Sequence, residues 1–189
     1  DPVYKGSYQP KFVASWGTDV TYKGLKLHAL FYTKQGNVFY SQTKMNMDAN
    51  GTSEETVLNG RNAFVWENSV SQVPNTNIYL PNTTKTSAYE YYTAQQKLYP
   101  AQGIVNGSYV RLQELALSYK IPQRYYERSP FGALEAGVFG NNLLLWTASS
   151  NKYDDPEATS AGAMGNGQGF NYLARPTTRN YGLFVKVNF

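Results

Sequence analysis

Asn180-Tyr-Gly-Leu-Phe-Val-Lys-Val-Asn-Phe189 closes the chain, and its side chains alternate. Tyr181, Leu183, Val185, Val187 and Phe189 fall on one face of an extended strand. Asn180, Gly182, Phe184, Lys186 and Asn188 fall on the other, because successive strand side chains point to opposite sides. One wall is greasy and the other mostly polar. Chain ends of soluble proteins tend to be polar and frayed. A greasy strand ending on an aromatic suits a transmembrane β-barrel, which puts lipid outside, water inside and aromatics at the interface. A strand of a soluble sandwich carries the same period-two pattern, so on this segment alone the two readings stand level.

Composition narrows the choice. The chain has 189 residues, enough for one sizeable domain. It has no Cys and one His, which excludes disulfides, thiolate metal sites and multi-His metal sites. Tyr is abundant at 17, beside 9 Phe and 3 Trp. Many Tyr, Asn, Thr and Gly with few charges is a β-rich composition, of the kind that lines a wet lumen and builds aromatic girdles. The net charge of +4 comes from scattered Lys and Arg with no basic run, which speaks against a nucleic-acid partner. No apolar run is long enough for a transmembrane helix. The chain starts Asp1-Pro2 without a signal-peptide pattern. An outer-membrane protein needs a signal, so the expectation is a natural amino-terminus further upstream.

Five strands can be read outward from the terminal one. The first spans about 11–22, with Phe12, Ala14, Trp16, Thr18, Val20 and Tyr22 on one face and Ser15, Gly17, Asp19 and Thr21 on the other. Lys23-Gly24 is a tight turn, since Gly supplies the positive φ a hairpin needs. The second spans about 25–33, with Leu25, Leu27, Ala29 and Phe31 opposing Lys26, His28, Leu30 and Tyr32; a continuation from Val38 to Tyr40 is open. The third spans about 108–121. Its apolar parity slips between Leu112 and Leu115, which predicts a bulge near Gln113-Glu114. The fourth spans about 133–147, with a second slip near Asn141-Asn142. The stretch 41–106 reads as a long irregular loop with one helix, Ala88 to Leu98. Ser87 and Glu90 form its capping box and Pro100 comes just after its end.

The connections alternate: short at 23–24, long at 41–106, moderate at 122–131, long at 148–176. Outer-membrane barrels alternate short periplasmic turns with long outer loops. With Phe189 at the periplasmic rim, both long loops land outside. The strand lengths also suit a tilted span of about 9–11 residues. The fold expected is therefore all-β, an antiparallel transmembrane β-barrel fragment. Five strands cannot close a membrane barrel, which takes about eight or more, so the rest of the wall is expected from the remainder of a larger chain.

The motifs resemble a known family. Asn106-Gly-Ser-Tyr-Val-Arg-Leu with Tyr119-Lys-Ile-Pro122 resembles the block near the end of SusC/RagA-type TonB-dependent outer-membrane transporters of Bacteroidetes. Gly140-Asn-Asn-Leu-Leu-Leu-Trp-Thr147 resembles that family's next strand. Tyr153-Asp-Asp-Pro-Glu157 resembles its tyrosine-aspartate-proline-glutamate loop, with one extra Asp. Pro176-Thr-Thr-Arg179 with the terminal strand resembles its end, and Pro10-Lys-Phe with Thr21-Tyr-Lys-Gly24 its upstream hairpin. Order and spacing match over nearly the whole chain. The resemblance implies a barrel of about 22 strands, of which 1–189 is the carboxy-terminal segment, the plug domain and amino-terminus lying outside it. It implies import of glycan oligomers or peptides across the outer membrane of a Gram-negative bacterium. It implies a SusD-like surface lipoprotein and TonB as partners, the latter through the missing amino-terminal part. No enzyme activity and no cofactor are expected. The alternative reading is a soluble extracellular β-sandwich that binds carbohydrate.

Several residues are candidates for a site. Trp66, Tyr89, Tyr91 and Tyr92 form either a ligand- or lid-facing aromatic surface or the loop's own small core, the second favoured because a long ordered loop must pack against itself. Trp16, Tyr22, Tyr119, Trp146 and Tyr181 are candidate girdle residues. Phe189 resembles the terminal aromatic read during outer-membrane assembly. Asp154, Asp155 and Glu157 offer oxygen ligands, but a solvated turn set by Pro156 is the expected reading. Asp48, Asn50, Glu54 and Glu55 miss the calcium-loop spacing. His28 is expected to face the lumen beside Lys26, without a partner suited to catalysis.

Overall fold

The computed structural model describes residues 3–162 and 166–189. Asp1 and Pro2, and residues 163–165 of the second long loop, lie outside the described residues. In chain order the strands are β1 (Phe12–Tyr22), β2 (Leu25–Gln35), β3 (Val38–Ser41), β4 (Phe64–Val65), β5 (Val70–Gln72), β6 (Tyr79–Pro81), β7 (Lys85–Thr86), β8 (Ile104–Asn106), β9 (Tyr109–Ile121), β10 (Ala133–Thr147), β11 (Phe170–Asn171) and β12 (Asn180–Asn188). The two α-helices are α1 (Gln42–Ala49) and α2 (Ala88–Leu98).

The long alternating runs form one five-stranded sheet in the order β1-β2-β9-β10-β12, antiparallel throughout. These are the five strands read from the sequence. At the β1–β2 turn Lys23 and Gly24 both adopt positive φ, 48° and 89°. A two-residue turn of that kind matches the right-handed twist of the strands it joins. The sheet is a section of a barrel wall.

Both expected slips are bulges. Opposite β2 the register steps from Leu30↔Glu114 to Phe31↔Leu112 and passes over Gln113. Opposite β10 it steps from Asn141↔Glu114 to Leu144↔Leu112, with Asn142 at φ 55°. An extra residue reverses the parity of the strand beyond it. Leu112 and Val110 thereby join Leu115, Leu117 and Tyr119 on one face.

Cross-strand neighbours make that face continuous. Val20, Leu27, Leu117, Val138 and Leu183 form one row, and Tyr22, Leu25, Tyr119, Ala136 and Val185 the next. Every residue of the first row is exposed, Leu183 at 81%. The opposite face carries Asp19, His28, Lys26, Ser118, Glu135 and Lys186 among its residues. It also carries Phe139 and Phe184, which lie over glycines of the neighbouring strand. A Cβ at Gly137 would sit 2.6 Å from the Phe184 ring, and one at Gly182 would sit 2.9 Å from the Phe139 ring. The glycines make room for these two rings on the mostly polar wall.

The short connection at 23–24 and the moderate one at 122–131 both lie at the Phe189 end of the sheet. Lys120 N–H donates to the Gly24 carbonyl at 2.8 Å, Gly132 N–H donates to the Asn188 carbonyl at 2.6 Å, and Phe131 stacks edge-on against Phe189 at 5.5 Å. The long loops leave from the other end, as the alternation predicted.

Part of the buried core lies among these loops. β3 pairs with β8 antiparallel and with β11 parallel, and Phe39, Met45 and Val105 are buried there. Two sequence expectations are corrected. β2 does not continue to Tyr40, because Gly36 turns the chain at φ 81° and Val38 starts the second sheet. The stretch 41–106 holds two α-helices rather than one, together with the small pairs β4–β7 and β5–β6. α1 escaped reading because Gln42-Thr-Lys-Met-Asn-Met-Asp-Ala49 has no apolar stripe; its N-cap, Ser41, accepts from Lys44 N–H at 2.9 Å. α2 stands where the capping box put it. Glu90 N–H donates to Ser87 Oγ at 3.2 Å and Ser87 N–H to Glu90 Oε2 at 3.1 Å, which holds the Glu90 carboxyl below its ordinary range.

Leu183→Arg in the full-length protein should destabilise the membrane-inserted barrel by about 2–4 kcal/mol, the cost of a cation near the bilayer midplane. Denaturant unfolding in lipid vesicles measures it, with Lys186→Gln on the opposite wall changing stability little.

Candidate functional site: an ionic lock under the long loops

β9 reaches the loop end of the sheet with Tyr109 and Arg111 on its polar face. Burying a guanidinium is costly unless a carboxylate and further hydrogen bonds take it up. Arg111 has both. Its Nη2 lies 2.6 Å from Asp155 Oδ1 and 3.4 Å from Glu157 Oε2, and its Nη1 donates to Thr177 Oγ1. The Arg111 and Asp155 side chains are 3% and 5% exposed.

The Asp155 carboxylate is almost fully subscribed. Oδ1 accepts from Arg111 Nη2 and from Glu157 N–H at 3.0 Å; Oδ2 accepts from Thr177 N–H at 3.0 Å and from the Thr177 hydroxyl. Two oxygens with four donors use about all the lone-pair positions a carboxylate has. Burial alone would raise its pKa. The hydrogen bonds from Thr177 and from the Glu157 and Thr177 backbone, with the Arg111 charge, outweigh burial and hold it below the usual carboxylate range. Glu157 is anchored in turn: Tyr109 donates its hydroxyl to Glu157 Oε1, and the Arg111 guanidinium lies 5.6 Å from the Tyr109 ring centre. The expectation of a solvated turn at Asp154–Glu157 is therefore corrected. Pro156 does sit within the turn, but the turn is plugged into the wall.

Neighbouring residues tie the two long loops together. Asp154 accepts from Ser41 Oγ, the hydroxyl that caps α1. Lys152 Nζ reaches Glu54 at 2.9 Å and Glu55 at 3.2 Å. Tyr153 donates its hydroxyl to Glu55 at 2.8 Å and accepts from Glu54 N–H at 2.9 Å. Thus Glu54 and Glu55 pair across the loops, and Asp48 pairs with Lys44 at 2.6 Å. Among the described residues no cluster is suited to a metal ion.

The aromatic candidates divide. Trp66, Tyr91 and Tyr92 come together with Phe64 and Tyr99: Trp66 meets Tyr91 at 4.7 Å and Tyr99 at 5.3 Å, Phe64 meets Tyr91 at 4.9 Å, and Tyr91 meets Tyr92 at 5.0 Å. Tyr92 also donates to the Glu55 carbonyl at 2.8 Å. Tyr89 is exposed and takes no part in these ring contacts. Trp16, Tyr22, Tyr119, Trp146 and Tyr181 are all exposed on the apolar face. His28 is better partnered than expected, with Asp19 Oδ1 3.2 Å from Nδ1 and Glu114 Oε2 3.6 Å from Nε2.

The chain is 28% identical over 195 residues to TonB-dependent receptor P26 of Formosa agariphila, covering 100% of this chain and 18% of that protein. It is 23% identical over 188 residues to TonB-dependent receptor P3 of the same organism, covering 97% and 17%. The chain is related to TonB-dependent receptors. It spans under a fifth of the length of these curated relatives. No family model matches it. Among solved structures it resembles the RagAB peptide transporter with a TM-score of 0.61 at 18% identity. It resembles the RagAB peptide importer in the closed-closed state with a TM-score of 0.65 at 19% identity, and in the open-open state with 0.62 at 19%. Each match covers 98% of this chain and 18% of the other. The chain is thus similar in sequence to TonB-dependent receptors and shares its fold with a segment of the RagAB structures, in line with the resemblance carried by the order of its motifs. The lock joins three of those motifs, through Tyr109 and Arg111, through Asp155 and Glu157, and through Thr177.

Arg111→Met should cost about 3–5 kcal/mol of loop docking, because it strands the Asp155 carboxylate without its counter-charge. Faster cleavage of the 148–176 loop by protease, with the barrel core intact, is the readout. Asp155 has a depressed folded pKa. Its contribution is complete above its unfolded value of about 3.9 and is lost as pH falls through the lower folded value. Pepsin should therefore cut this loop increasingly below that range, and Asp155→Asn should cleave readily without that acid step.

Proposed function

We propose that the chain is the carboxy-terminal part of the barrel of a TonB-dependent nutrient importer that takes up glycan oligomers or peptides. The observation that carries this is the inverted sheet: the apolar face is outermost, and the polar face bears the docked loops at one end. Similarity to proteins named TonB-dependent receptors supports it. The segment supplies wall, lumen surface and two outer loops and performs no covalent chemistry. TonB acts on the amino-terminal part of the whole protein, and a SusD-like lipoprotein lies over the outer mouth, against the 41–106 loop. Trp66, Tyr91 and Tyr92 stiffen that loop, and exposed Tyr89 is its contact for cargo or lid. Trp16, Tyr22, Tyr119, Trp146 and Tyr181 hold the barrel at its depth, since amphipathic rings favour the interface.

The soluble-sandwich alternative needs a second sheet against the apolar face. In the described residues the second sheet, of β3, β8 and β11, lies instead among the loops, and the fold matches a transporter barrel.

Phe189 serves as the assembly signal in this reading. Deleting Phe189 from the full-length protein should lower its outer-membrane level severalfold, measured by blotting membrane fractions. Deleting the whole gene should abolish growth on one oligomeric nutrient while growth on its monomer persists. A full-length protein that purifies as a monodisperse monomer without detergent is the contrary result.

A further inference from the structure

The Phe189 end of the sheet carries charge that the rest of the structure leaves uncommitted. Its connections, 23–24 and 122–131, hold the cations Lys23, Arg124 and Arg128 against one carboxylate, Glu127. All four side chains are exposed, and none makes an ion pair among the described residues. Elsewhere basic side chains are matched to carboxylates: Lys26 to Asp19, Lys44 to Asp48, Arg111 to Asp155 and Lys152 to Glu54.

Two of these cations are held in place. Lys23 Nζ lies 5.2 Å from the ring centre of Tyr22, a residue of the apolar face. The Arg124 guanidinium lies 4.8 Å from the Tyr125 ring centre, and its Nη2 donates to the Tyr125 hydroxyl at 3.0 Å. Successive turns set the connection. Tyr125 N–H donates to the Pro122 carbonyl at 3.1 Å, Tyr126 N–H to the Gln123 carbonyl at 2.9 Å, and Ser129 N–H to the Tyr126 carbonyl at 2.9 Å. The two connections are neighbours, because Leu25 pairs with Tyr119 and β9 ends soon after, at Ile121. Tyr22, Tyr119 and Tyr125 are all exposed.

We propose that this rim binds the phosphate headgroups of anionic phospholipid in the periplasmic leaflet, with Lys23 and Arg124 as the contacts and Tyr22 and Tyr125 positioning them. The cations border the wall that ends on Tyr22, Leu25, Tyr119 and Ile121. Amphipathic rings favour that depth, and a Lys stem can lie along apolar surface while its ammonium reaches the headgroups. Basic side chains there attract an anionic leaflet. A soluble acidic partner fits less well, because Lys23 is held over a ring of the lipid-facing wall, where such a partner would have to displace lipid. The inference rests on the importer reading, which puts the Phe189 end in the periplasm, and adds a lipid preference to it.

The test titrates the full-length protein in detergent with phosphatidylglycerol and, in parallel, with phosphatidylcholine of the same chains, and counts bound lipid by native mass spectrometry. Phosphatidylglycerol should bind severalfold more tightly. Lys23→Gln and Arg124→Gln should each weaken it about fivefold and leave phosphatidylcholine little changed, while Arg175→Gln at the loop end should have no effect. If Arg124→Gln loses heat-modifiable migration in gels, Lys23→Gln, in an exposed turn, carries the test alone. Equal binding of the two lipids, unchanged phosphatidylglycerol binding in folded variants, or equal weakening by Arg175→Gln overturns the proposal. So does capture of a hexaglutamate peptide by the same residues without any lipid preference, which would mark a soluble acidic partner. No lipid preference in a protein that still migrates as a heat-modifiable barrel defeats the lipid site alone; a monomer soluble without detergent defeats the importer reading as well.

Discussion

The sheet wears its apolar side outward, and everything else in the structure answers to that inversion. In lipid every backbone polar group must be satisfied inside the protein, so a spanning sheet has to be long-stranded, antiparallel and continued at its edges. The rows that run from Val20 to Leu183 and from Tyr22 to Val185 are left largely exposed by the other described elements. Loops that lie on such a sheet meet its polar wall, where burial of apolar surface offers little. They must be held by directed interactions.

The Arg111 lock is that holding device. A buried ion pair alone is a doubtful source of stability, since desolvation can exceed the attraction. Here the backbone amides of Glu157 and Thr177 and the Thr177 hydroxyl complete the Asp155 shell, which makes the pair specific in position. It fixes the second long loop and the approach to β12 against β9. Lys152, Tyr153 and Asp154 then pass that fixed position to Glu54, Glu55 and Ser41 of the first long loop. The aromatic cluster around Trp66 and Tyr91 and the small core around Met45 and Phe39 give the first loop its own rigidity. A preformed outer surface results.

Local rules made the wall legible. Alternation located all five long strands, the parity slips at Gln113 and Asn142 located both bulges, and Ser87 with Glu90 located α2. Each of these signals lies within a few residues of its effect. The lock was illegible for the opposite reason. Arg111 is 44 residues from Asp155 and 66 from Thr177, and Asp-Asp-Pro-Glu reads locally as a turn in water. The one available hint was a guanidinium near the start of a strand, in a chain whose later loop carries three carboxylates close together. His28 looked solitary because Glu114 reaches it only through the β2–β9 register. α1 has no apolar stripe and owes its place to Ser41 and to Met45 packing into the loop core.

The inversion requires that the face bearing Tyr181, Leu183 and Val185 touch lipid. The stretch contains no native Cys, so single cysteines placed from 180 to 187 in the full-length protein can carry spin labels in a bilayer. The expected result is alternation: oxygen, which partitions into lipid, relaxes labels at 181, 183, 185 and 187, while a water-soluble nickel chelate relaxes those at 180, 182, 184 and 186. Equal access to the nickel chelate at both sets of positions would contradict it.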